Sequence, residues 1–132
     1  MEEMTSLPPV TREEALALLR VVKQKMDASD ARFRAMRPPD DRLGELRGPS
    51  QTRRTARRVR AGIYRPSWMT ESAEELALEY EHAASFLENY ISARRLAAAY
   101  KRMVEDIEDG FFDDVKDDFE HLKTRVRDFD EI

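Results

Sequence analysis

The chain has 132 residues, of which 41% are hydrophobic and 38% charged. Ordinary domains are roughly 25% charged, so the expectation is one domain with a thin core. The absence of cysteine excludes a disulfide scaffold, thiolate zinc, iron–sulfur clusters and a cysteine nucleophile. No apolar run approaches the ~20 residues of a membrane span. The first nine residues also carry Glu2 and Glu3, where a secretory signal would be basic. These readings predict an intracellular, cytoplasmic protein with no membrane partner.

In chain order, residues 1–10 read as an N-terminal arm that closes on Pro8 and Pro9. A first helix is predicted over 11–37. Thr11 and Glu14 have capping-box spacing, and Pro38-Pro39 stops the helix. Along it Leu19, Val22, Met26, Phe33 and Met36 keep a 3-4 spacing, with Ser29 interrupting the stripe.

Residues 38–68 form a connector made irregular by Pro38, Pro39, Gly44, Gly48 and Pro49. Within it Ser50 is expected to cap a short helix over 51–61, ended by Gly62. On that helix Arg53, Arg54, Arg57, Arg58 and Arg60 cover about 160° of a helical wheel. Thr52, Ala56 and Val59 fill the opposite, weakly apolar side.

A second long helix is predicted over 72–109, opened by the Ser72–Glu75 capping box. Leu76, Ala83, Phe86, Tyr90, Ala93, Ala97, Tyr100, Val104 and Ile107 form its expected seam. The pattern leaves a break near Arg94-Arg95 open. Gly110 occupies the position of a helix C′ residue. A third helix is then predicted over 111–129, with Phe112, Val115, Phe119, Leu122, Val126 and Phe129 at 3-4 spacing. No segment alternates as a strand would, so the predicted class is all-α. Each seam is narrow, which calls for burial against other helices or further subunits.

Charge is segregated along this chain. From Arg42 to Arg65 there are eight Arg and one acid, Glu45, a net of +7. From Pro66 to Ile132 eight basic residues face eighteen acids, a net of -10. Residues 105–120 alone hold nine acids against Lys116. Such asymmetry points to a polyanion partner for the basic segment. Arg outnumbers Lys 18 to 5, and guanidinium grips phosphate bidentately where ammonium is a point charge.

The nominated nucleic-acid contacts are Arg47, Arg53, Arg54, Arg57, Arg58, Arg60 and Arg65, with Tyr64 and Trp68 available to stack on bases or sugars. The competing reading is a basic linker that pairs with the protein's own acidic third helix. No zinc-finger spacing, basic-zipper fusion or helix-turn-helix is evident, so sequence-independent backbone binding is the more economical expectation.

Two spacings, Glu79-x-x-His82 and Asp118-x-x-His121, invite comparison with di-iron carboxylate bundles. The second has Asp where Glu belongs, and the acids of the first helix lie at its capped end. The expectation is therefore no metal site and no cofactor. Ser29, Ser85 and Ser92 lack a neighbouring base and a Gly-x-Ser-x-Gly context. The four glycines are too scattered for a phosphate-cradling loop. Neither an enzyme nor a small-molecule substrate is expected.

The short all-α chain, its long Pro-bounded first helix, the Arg-rich stretch Arg47 to Arg65 and the acidic later helices resemble the coat proteins of archaeal rod-shaped and filamentous viruses. This is a likeness of architecture over the whole chain and rests on no single motif. It implies a capsid (nucleocapsid) protein that pairs, wraps A-form double-stranded DNA with basic helical arms and stacks into a helical virion. It further implies that Arg53, Arg54, Arg57, Arg58 and Arg60 line the DNA, while the later helices form the acidic exterior and the subunit contacts. With a net charge of -4, neutralisation would rely on local charge or on a more basic partner subunit. The expected function is thus a non-enzymatic structural protein that packages DNA as a homo- or hetero-oligomer. The alternative is a helical adaptor in a larger bacterial or phage complex, its Arg segment docked on an acidic protein surface.

Overall fold

A computed structural model describes residues 8–132. Among the described residues there are four α-helices: α1 (Arg12–Ala35), α2 (Pro49–Arg60), α3 (Ala73–Asp109) and α4 (Phe112–Arg125). Short 3-10 turns occupy Asp41–Leu43 and Phe129–Glu131. There is no strand among the described residues, and the fold is all-α as the periodicity predicts. No helix among them is long and apolar enough to cross a membrane. Of the predicted N-terminal arm, residues 1–7 lie outside the described residues.

Local chemistry sets the helix ends. Both capping boxes form. The Thr11 hydroxyl accepts from the Glu14 amide at 3.1 Å, and the Glu14 carboxylate accepts from the Thr11 amide at 3.2 Å. Ser72 and Glu75 repeat the exchange at 3.1 and 3.3 Å. Helix α3 ends in a Schellman motif: Gly110 takes φ +82°, the Phe111 amide donates to Asp106 and the Gly110 amide to Ile107. Between those ends α3 is unbroken, with no interruption at Arg94-Arg95.

Two sequence expectations about ends are corrected. Helix α2 starts one residue before Ser50, with Gly48 at the N-cap and Pro49 at the first helical position. Pro fits there because its missing amide would have no intrahelical partner. Helix α4 stops at Arg125 and does not run to 129. Val126 is extended and Asp128 is left-handed at φ 56°, a conformation that Asp tolerates better than most residues.

The chain divides into two compact units. One comprises the residues up to Asp30 together with Ser92–Ile132, and the other is Ala31–Ile91. Helices α1 and α3 contribute residues to both.

In the first unit Val22 of α1, Leu96, Ala99 and Met103 of α3, and Val115, Phe119 and Leu122 of α4 form one buried cluster. Val126 and Phe129 join it from beyond α4, so the predicted 3-4 stripe stays buried even though the last turn is not helical. The Phe119 and Phe129 rings meet edge-on at 5.6 Å. Lys25 secures this tail, donating to the Phe129 carbonyl at 2.6 Å with its ammonium 4.4 Å from the ring centroid. The Val10 amide donates to Asp113 in the first turn of α4 at 3.0 Å.

Two seams differ from expectation. On α1 the buried positions are Ala15, Val22 and Ser29, so Ser29 lies within the stripe it was expected to interrupt. On α3 burial follows Ser92, Leu96, Ala99 and Met103, while Ala97 is exposed and Ala93 and Val104 are half-buried. This stretch is rich in small apolar residues, so more than one 3-4 stripe can be drawn along it. The one chosen buries Leu96 and Met103 fully, with Tyr100 and Ile107 of the expected seam packed against the cluster.

The second unit has a smaller core. Ala56 and Val59 of α2 meet Leu76, Ala77 and Tyr80 of α3, with Leu43, Trp68 and Met69 packed at the margin. Phe33, Phe86 and Tyr90 form a tilted aromatic group, with centroids 4.8 and 5.5 Å apart.

Candidate nucleic-acid interface

Helix α2 buries one narrow face. Thr52, Ala56 and Val59 are the residues turned inward, as the wheel predicts, and the arginines take the remainder. Those arginines fall into two groups.

Arg53 and Arg60 flank the buried face and are bound to α3. Arg53 makes a bidentate pair with Glu88, both contacts at 2.7 Å. Arg60 reaches Glu74 at 2.7 and 3.0 Å and Glu81 at 3.1 and 3.2 Å. The later α2 residue meets the earlier α3 residues, so the two helices run antiparallel. Glu74, Glu81 and Glu88 recur every seven residues, which keeps them on one stripe of α3. These contacts hold the Glu74 and Glu81 carboxyls below their usual range.

The basic segment therefore does pair within the molecule, but only in part, and with the helix over 73–109 rather than the acidic helix after Gly110. The sequence could not show this, because pairing follows the antiparallel packing of α2 on α3 and not the local density of acids.

Arg54, Arg57 and Arg58 point the other way. All three are exposed, and none makes an ion pair with a described residue. They stand at i, i+3 and i+4, where like charges repel. Arg47 and Arg65 are also exposed and without such a pair. Tyr64 is 41% exposed.

Trp68 is differently employed. It packs at the edge of the second core, and the Arg42 guanidinium lies 5.1 Å from its ring centroid. Arg42 is itself fixed by Asp40 at 2.8 Å and Glu71 at 2.6 Å. That grip pushes the Glu71 carboxyl down to about 2.

Arg47, Arg58 and Tyr64 are brought together around a groove of about 420 Å³ that Gln51, Thr55 and Tyr80 also line. No pattern in the sequence points to these last three. Another Schellman motif positions Tyr64: Gly62 at φ +76° turns the chain, and the Ile63 and Tyr64 amides both donate to the Arg58 carbonyl, at 2.9 and 3.2 Å. Burial, followed by the neighbouring Tyr64 phenol, pushes the Tyr80 phenol up to about 12.

The Glu79-x-x-His82 spacing also has a structural use. Glu79 takes the Arg37 guanidinium at 3.2 and 3.3 Å, and His82 Nε2 donates to the Arg37 carbonyl at 2.7 Å. One residue after α1 is thereby held by both side chain and backbone. Among the described residues no group of three or more His, Asp or Glu is placed to hold a metal ion.

Comparison of the chain with protein-family models, with curated proteins and with solved structures finds no match in any of the three.

Proposed function

We propose that this is a non-enzymatic protein that binds the sugar-phosphate backbone of nucleic acid, duplex DNA foremost, and packages it as an oligomer. The observation that carries the proposal is the division within α2. Arg53 and Arg60 are saturated by α3 carboxylates, while Arg54, Arg57 and Arg58 share an exposed face with no described anionic partner. Three crowded guanidinium groups repel one another in water. A polyanion removes that repulsion and gains bidentate hydrogen bonds at each phosphate. Phosphate contact carries no base information, which accords with sequence-independent coating. The likeness to filamentous-virus coat proteins supplies the packaging part of the proposal.

The test is anisotropy binding to two unrelated duplexes of equal length across a salt series. Arg54, Arg57 and Arg58 alone would give a slope of log K against log salt near about -2.7, from -0.9 per neutralised phosphate. With Arg47 and Arg65 engaged it would approach about -4.5. The two sequences should bind alike. No binding at low salt overturns the proposal.

A second reading, an adaptor whose arginines dock on an acidic protein, is favoured by one observation. Within this chain a heptad-spaced glutamate stripe already satisfies two arginines of the same helix. An acidic helical partner could satisfy the other three in the same manner. Under this reading the Arg54, Arg57 and Arg58 variants lose a protein partner and nucleic-acid binding is negligible throughout.

A further inference from the structure

The groove beside α2 differs from the open arginine ridge. Its volume, about 420 Å³, falls in the range of small-ligand pockets, roughly 300–1,000 Å³. Two unpaired guanidinium groups, Arg47 and Arg58, stand at it with one half-exposed aromatic ring, Tyr64. Gln51 adds an amide that both donates and accepts, and Tyr80 presents a phenol from the buried side. Glu45 completes the polar lining. A second cavity with several basic residues, of about 310 Å³ between α3 and α4, is less suited to an anion. There Arg102 lies 3.6 Å from Asp118, and Arg95 is spent on the Arg125 carbonyl.

We infer that the groove holds one nucleotide of an unpaired strand, its phosphate on Arg47 and Arg58 and its base stacked on Tyr64. The inference rests on the nucleic-acid reading above and narrows it. The ridge of Arg54 and Arg57 follows the backbone, and the groove takes a base that is free of its stack.

Each part has a physical role. Bidentate guanidinium suits phosphate, and a base of any identity stacks on a tyrosine ring. The Tyr64 ring stays beside Arg58 because its amide is bonded to the Arg58 carbonyl. That keeps the two residues neighbours at the groove without any ligand present. The Tyr80 phenol lies beside the Tyr64 phenol and adds a polar group to the lining at the stacking ring. Glu45 is an acceptor for a sugar hydroxyl and disfavours a second phosphate at its side. A base inside a duplex has no free face and cannot reach Tyr64 without unstacking. The groove therefore discriminates in favour of single strands and ends.

Anisotropy with the full chain separates ridge from groove. Three labelled probes of equal length are compared: a single strand, the same strand made of abasic sugar-phosphate units, and the duplex. Free deoxyadenosine monophosphate, followed by NMR at the Tyr64 resonances, distinguishes a free nucleotide from one within a strand. The base-bearing strand should bind about tenfold tighter than the abasic strand of equal charge, in line with one base–aromatic stack. Tyr64→Ala should bring that ratio close to one. Thr55→Phe, which fills the groove and keeps every arginine, should do the same. Arg54→Ala with Arg57→Ala should weaken both strands and keep the ratio.

Equal affinity of the wild-type protein for the two strands overturns the groove and leaves the backbone reading standing. If no strand binds, the backbone reading fails and the mononucleotide decides. A saturable shift at Tyr64 then supports the groove, and its absence overturns it.

Discussion

Residues 31–91 contain eleven Arg, no Lys and nine acids, whereas residues 1–30 with 92–132 contain twelve basic residues and eighteen acids. The first region is laced by directed ion pairs between distant segments: Arg37 to Glu79, Arg42 to Glu71, Arg53 to Glu88, and Arg60 to Glu74 and Glu81. Its apolar core is small, and the planar fork of Arg supplies the orientation that one alanine and one valine on α2 could not. The other region has a larger apolar cluster from α1, α3 and α4, and several of its ion pairs are local, such as Lys23–Asp27 and Lys123–Glu120. Its surface acids are not balanced. Partial burial and then the carboxylates of Asp118, Asp114, Asp109 and Glu105 hold Asp106 above its usual range. Burial stabilises without specifying direction, while bidentate pairs specify direction with little net stabilisation in water.

The largest effect should come from the apolar region. Leu96→Ala removes a fully buried side chain from the larger cluster, and should lower the unfolding free energy by about 2–5 kcal/mol in urea denaturation. Retention of wild-type stability would mean that this cluster is not the main support of its unit.

Next comes a contrast within one helix. Arg53→Ala breaks the Glu88 pair and should lower the thermal midpoint while leaving the salt slope of DNA binding unchanged. Arg54→Ala should do the reverse, leaving the midpoint in place and making the slope shallower by about 0.9. Equal effects of the two would erase the distinction between stapled and outward arginines.

The smallest effect is in acid. A carboxylate whose folded pKa is lowered contributes stability above its unfolded value and loses it as pH falls through the folded one. For Glu71 the window runs from about 4.5 down to about 2. Trp68, the sole tryptophan, sits beside Arg42, so its fluorescence should change across that window. Asp106 has the opposite sign, because acid relieves its crowding. Glu71→Gln should abolish the Trp68 transition if Arg42 is the link.

The helices and most of their ends were legible because their causes are local. The Thr11–Glu14 and Ser72–Glu75 boxes, the Gly110 turn and the arginine wheel each need only neighbours within one or two turns. What was not legible depended on partners far along the chain. Glu74, Glu81 and Glu88 read as three acids among eighteen in their half of the chain until α2 lies against them. The α3 seam could be drawn along more than one line of small apolar residues, and contact with α1 and α4 selects between them. At the α4 end the spacing of Val126 and Phe129 was correct and the helix was not, since a turned segment can deliver the same two side chains to the same core. Of the nominated site, the cluster of Arg54, Arg57 and Arg58 could be read from sequence. The convergence of Arg47, Arg58 and Tyr64 on one groove required the turn at Gly62.

The glutamate stripe of α3 also acts as a ruler. Arg53 and Arg60 are seven residues apart, as are Glu81 and Glu88, so each arginine meets its partner at the same phase of the helix. A slip of α2 by one turn would move Arg53 off Glu88 and Arg60 off its place between Glu74 and Glu81, so the present contacts would change together. A slip by two turns toward the C-terminal end of α3 would carry Arg53 past Glu88, where the stripe ends. The pairs thus distinguish sliding positions that apolar contacts of alanine and valine would leave nearly degenerate. Tyr64 is tied to the end of α2, so that choice also sets how far the ring stands along α3.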